Sequence, residues 1–113
     1  MKTEFEKYMH IADELLSYCH IRGASDFHLA IKEREDATYF TITALPKKID
    51  DEEIEHLTKV LQAPRRREME KDYWSLGGIS EVTSELLLIG MMVDEASVDY
   101  NEGWLTIKLK RLN

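Results

Sequence analysis

The stretch Phe27-His28-Leu29-Ala30-Ile31-Lys32-Glu33-Arg34-Glu35-Asp36-Ala37-Thr38-Tyr39-Phe40-Thr41-Ile42-Thr43-Ala44 decides the fold class. Phe27, Leu29 and Ile31 alternate with His28, Ala30 and Lys32, which is the two-residue period of a half-buried strand. The four charges from Glu33 to Asp36 form a turn. The run from Thr38 to Ala44 is rich in β-branched and aromatic residues, as a second strand requires. The pair is predicted to be an antiparallel hairpin.

Upstream, Thr3-x-x-Glu6 has the form of a capping box. Phe5, Tyr8, Met9, Ala12, Leu15, Leu16 and Cys19 then fall on one face of a helix predicted over 4–21, with Gly23 as its stop. Downstream, Pro46 ends the second strand. Asp50 is expected to cap a helix over 51–62, with Glu53 at its third position and Ile49 and Ile54 as a hydrophobic staple. Residues 63–78 are expected to form a long connection. Ile79, Val82, Leu86, Ile89 and Val93 predict a third helix over 79–93. A closing hairpin follows, with Ala96, Val98 and Tyr100 on one strand and Leu105, Ile107 and Leu109 on the other. Asn101-Glu102-Gly103 is expected as its three-residue loop. The order is α-β-β-α-loop-α-β-β. The expected fold is an α+β two-layer sandwich, with helices on one face of a mainly antiparallel four-stranded sheet.

With 113 residues, the expectation is a single domain over 1–113. Apolar residues at 43% and charged residues at 33% suit a globular chain. Fifteen Lys and Arg stand against twenty-two Asp and Glu, a net charge of −7. That sign argues against nucleic acid and anionic membranes as partners. No apolar run is long enough to span a bilayer, and the first residues do not read as a signal peptide. The lone Cys19 forms no intramolecular disulfide and favours a reducing, cytoplasmic location.

Three stretches, Glu14–Ala24, Phe40–Ile54 and Leu86–Arg111, carry a resemblance. In them the chain resembles the ATP-binding domain of histidine kinases and their Bergerat-fold relatives of the gyrase and mismatch-repair type. The first is similar to the N-box helix with its basic turn. The second is similar to the strand, glycine box and helix that follow. The third is similar to the last helix and final two strands. The nucleotide-handling residues of that family are largely replaced. Tyr18 stands where the N-box Asn would hold Mg²⁺. Ala44, Pro46 and Lys48 stand where the Asp-x-Gly-x-Gly box would read adenine. Thr83-Ser84-Glu85 falls at the lid glycines, with Gly77 and Gly78 as a displaced remnant. Glu14 alone is kept, at the place of the water-activating carboxylate in some relatives. The resemblance therefore implies a degenerate member lacking its nucleotide-binding motifs.

The remaining candidates are read from residue type and spacing. Glu14 with His10 and Tyr18 at helical spacing has the form of a proton-handling or metal cluster, but two ligands on one helix are too few for a metal, and a solvated helix face is the preferred reading. Arg65, Arg66 and Arg67 have the donors to clamp an anion, but Glu68, Glu70 and Asp72 offset their field. Tyr73 and Trp74 suit either a partner contact or a cap over the vacated nucleotide cleft. Cys19 reads as core, and Trp104 as a cross-strand packing residue. P-loop, G-x-S-x-G, H-E-x-x-H and C-x-x-C motifs are all absent. No cofactor and no metal are expected. The expected function is a non-catalytic interaction or regulatory domain, with the resemblance pointing to bacterial signalling and a protein partner or homo-oligomer. The alternatives are a small-molecule binder or weak ATPase using Glu14, Tyr18 and the 65–74 region, and an unrelated α+β domain of the same order.

Overall fold

The computed structural model describes residues 3–47, 49–65, 86 and 89–113. Among them are helices α1 (Glu4–Ile21) and α2 (Asp51–Leu61) and strands β1 (Phe27–Glu33), β2 (Ala37–Ala44), β3 (Glu95–Asn101) and β4 (Trp104–Leu112). The strands form one antiparallel sheet in the order β1-β2-β4-β3. The fold is the expected α+β arrangement, with helices packed on the sheet. The predicted helix over 79–93 lies mostly outside the described residues; within it, Leu86, Ile89 and Gly90 are helical and buried.

Local chemistry sets the element ends. Thr3 accepts from the Glu6 amide at 3.1 Å, and the Glu6 side chain accepts from the Thr3 amide, completing the capping box. At the other end Gly23 takes a φ of +84°. Its amide donates to His20 and the Ala24 amide to Cys19, the paired bonds of a Schellman stop. Asp50 caps α2 through the Glu53 amide at 2.8 Å. The second hairpin is tighter than expected. Asn101 pairs with Trp104, so only Glu102 and Gly103 form the turn, both at positive φ. That is the two-residue turn whose twist matches its strands.

Register assembles the core in rows. Leu29, Ile42, Ile107 and Val98 lie side by side across the sheet, and so do Ile31, Phe40, Leu109 and Ala96. The central strands β2 and β4 bury these residues fully, while Ile31 on β1 and Val98 on β3 are only half-buried at the two edges. Helix α1 lies over β2, where Tyr8 meets Phe40 edge-on at 5.7 Å, and α2 lies against β3. Among the described residues only α1 borders the helix side of β1, whose Phe27, Leu29 and Ile31 are half-buried. The opposite sheet face is polar. There Lys110 lies over the Tyr39 ring, and Trp104 tilts against His28 at 6.3 Å.

The buried face of α1 is rotated from the predicted one. Tyr8, Ile11, Ala12, Glu14, Leu15, Tyr18 and Cys19 are buried, whereas Phe5 and Met9 are 59% and 41% exposed and Leu16 is half-buried. The reason is polar: Glu14 and Tyr18, read as surface residues, have partners that allow them inward.

Candidate functional site

The C-terminal end of α1 meets the N-terminal end of α2 and the segment leading into it. Tyr18, 2% exposed, donates its hydroxyl to Glu53 Oε2 at 2.6 Å. Arg22 donates to the same oxygen at 2.8 Å, and its guanidinium lies 5.0 Å from the centre of the Tyr18 ring. The Lys47 amide donates to the Arg22 carbonyl at 3.2 Å, tying the exit of β2 to the same helix end. Beside this clasp is a cleft of about 420 Å³ lined by Arg22, Lys47, Ile49, Asp50, Glu53 and Tyr100.

The cleft has two cations and two carboxylates, and both carboxylates are already engaged. Glu53 takes Tyr18 and Arg22, while Asp50 caps α2. Burial pushes the Tyr18 hydroxyl well above its ordinary value of 10.0, and the Glu53 carboxylate adds to the shift while Arg22 opposes it. Tyr18 therefore stays protonated and serves as a donor. The Arg22 guanidinium is itself raised, first by its contact with Tyr18. Arg22 Nε is buried and has no hydrogen-bond partner among the described residues.

The other candidates are dispersed. Glu14 is buried, with His10 Nε2 at 3.9 Å, so the solvated-face reading of Glu14 does not hold. Arg65 donates to Asp94 at 2.7 Å and to the Leu112 carbonyl at 3.0 Å, with little side-chain exposure; it fastens the end of α2 to the sheet. Arg66, Arg67, Tyr73, Trp74, Lys48 and the 83–85 stretch lie outside the described residues. Ala44 and Pro46 are buried. Burial also pushes the Cys19 thiol up to about 11, in keeping with a core residue. Among the described residues no group of three His, Cys, Asp or Glu side chains is placed to hold a metal. None of their helices is long and apolar enough to cross a membrane.

The sequence did not show that Arg22 and Glu53 are the partners of Tyr18, or that Lys47 and Tyr100 line the cleft beside them. Glu53 stands at the third position of α2 as expected and gives its amide to the Asp50 cap, while its carboxylate turns to Tyr18 and Arg22. No spacing rule links residues 31 to 35 positions apart. The available signal was Tyr18 and Arg22 at i and i+4 in a chain rich in carboxylates. The chain matches no protein-family model and no curated protein to a significant degree.

Proposed function

We propose that this chain is a non-catalytic domain that works by protein contact, a cytoplasmic regulatory module descended from the histidine-kinase-type ATPase fold. The observation that supports this reading is the clasp of Tyr18, Arg22 and Glu53. At the position where the resemblance calls for a Mg²⁺-holding Asn, the side chain is a buried phenol committed to an internal carboxylate. A neutral phenol donor is a poor ligand for Mg²⁺, which prefers carboxylate, phosphate and water oxygens. Ala44 offers no acceptor to an adenine amino group, and leaving that group unpaired costs about 1–3 kcal/mol. Pro46 cannot take the positive φ that a glycine box uses.

Titration calorimetry with ATP and Mg²⁺ tests the proposal. The expected dissociation constant is about millimolar or weaker. A low-micromolar constant would overturn it.

A second reading, a small-molecule binder with a remodelled pocket, is favoured by one observation. The cleft of about 420 Å³ places the Arg22 side chain beside the exposed Lys47. A thermal-shift screen of small carboxylates and phosphates separates the two readings. If a nucleotide raises the melting temperature, Glu14→Gln is the variant that shows whether hydrolysis accompanies binding.

A further inference from the structure

The two edges of the sheet are treated differently. On β3, α2 packs alongside, Gln62 Nε2 donates to the Ala96 carbonyl at 3.0 Å, and Glu95 and Asp99 are exposed. Such features blunt an edge against pairing. On β1 the Arg34 amide bonds Ala37 and the Asp26 carbonyl accepts from Leu45. Both even-numbered positions therefore face β2. By the alternation of an antiparallel ladder, Phe27, Leu29 and Ile31 turn their N–H and C=O groups away from β2, to a side where no strand pairs among the described residues. Their side chains lie on the helix-covered face and are only half-buried. Next to them, between α1 and β1, is an apolar hollow of about 510 Å³ lined by Leu16, Ser17, His20, Ile21 and Phe27. The exposed Phe5 and Met9 continue the Leu16 side of α1 away from it.

We propose that β1 pairs antiparallel with β1 of a second copy of this chain, in the register that sets Leu29 opposite Leu29 of the partner subunit. The two-fold axis then stands perpendicular to an eight-stranded sheet. Apolar matching chooses this register, and charge complements it. Phe27 faces Ile31 of the partner subunit, and Asp26 faces Lys32 of the partner subunit, both exposed and on the same sheet face. A shift of one residue in the register centre also gives Asp26 an opposite charge, Arg34 of the partner subunit, but it sets Phe27 against Glu33 of the partner subunit, an apolar–charge pairing at both ends. In the chosen register the Leu29 pair and both Phe27–Ile31 pairs exchange both backbone bonds. Ile31 of the partner subunit arrives beside the hollow at Phe27, and the two α1 stripes turn toward each other. The proposal does not depend on whether nucleotide binds, so it stands or falls apart from the regulatory reading.

Sedimentation equilibrium of the full chain is the test, with Asp26→Lys, Lys32→Asp and the double swap as variants, each checked for folding by far-UV circular dichroism. The expected result is a particle of twice 13.2 kDa. Each single change should weaken the dimer about tenfold by placing like charges together at both ends, and the double swap should restore it. Amide exchange at Leu29 and Ile31 should slow as chain concentration rises. A monomer persisting to about 0.1 mM would overturn the proposal, leaving the edge for a strand of another protein. A dimer indifferent to all three variants, or one without protection at Leu29, would overturn it equally.

Discussion

At Tyr18 a hydroxyl that most helices would turn to water is instead shielded and given to Glu53. Tyr18→Phe removes that donor while leaving Arg22 on the carboxylate, so urea denaturation should show a loss of about 1–2 kcal/mol. An unchanged midpoint would mean the contact adds nothing. Tyr18 and the neighbouring Cys19 are both raised in the folded state, Cys19 from 9.0 to about 11. The unfolded chain therefore releases these protons first as pH rises. Their stabilising contribution is complete below about pH 8 and declines from about pH 9 upward as the unfolded groups ionise. Denaturation midpoints at pH 8 and pH 10.5 should fall in that order, with a smaller fall in Cys19→Ala. The rotation of α1 shows what was hidden from a reading of hydropathy. Phe5, Met9 and Leu16 score as apolar and were placed inward. Glu14 and Tyr18 score as polar and were placed outward. For Tyr18 it is a partner remote in sequence, Glu53, that reverses the choice.

The elements themselves were legible where their signals are local. The α1 bounds follow from Thr3, Glu6 and Gly23, and the strands from period-two alternation that register then aligns into rows. The second turn was read one residue too long because Glu102 does not advertise positive φ as Gly103 does. Where two elements touch, the sequence says less, and Gly90 is the example. A Cβ there would collide with the Val60 carbonyl and meet Leu61 Cα at 3.1 Å, both of them backbone on α2. Gly90→Ala should therefore cost about 3 kcal/mol, since neither chain can move without disturbing the core. Ile89, fully buried beside it, should lose about 2–5 kcal/mol on change to Ala. Thermal denaturation of the two variants checks both. A loss below about 0.5 kcal/mol in either would place that residue outside the core.

For the molecule as a whole, one continuous cluster joins residues of α1, α2 and the central strands, from Tyr8 through Phe40 and Leu57 to Ile107. Such a chain should unfold in one step, with far-UV circular dichroism and tryptophan fluorescence tracing the same curve; separate transitions would divide the chain into independent units. The antiparallel layout was legible from the two hairpins, but strand order was not, because no local signal says which hairpin edges meet. The answer, β1-β2-β4-β3, puts the last strand in the middle. In the cell this has a temporal meaning. β2 emerges from the ribosome with its neighbour β1 but without its other neighbour. It keeps Phe40 and Ile42 half-sheltered until β4 has been translated. At about 5–20 residues per second, the stretch from Ala44 to Leu112 takes several seconds to appear. During that interval the nascent chain presents an unpaired central strand, so a translational stall before Trp104 is the point at which a holding chaperone would find the most to bind.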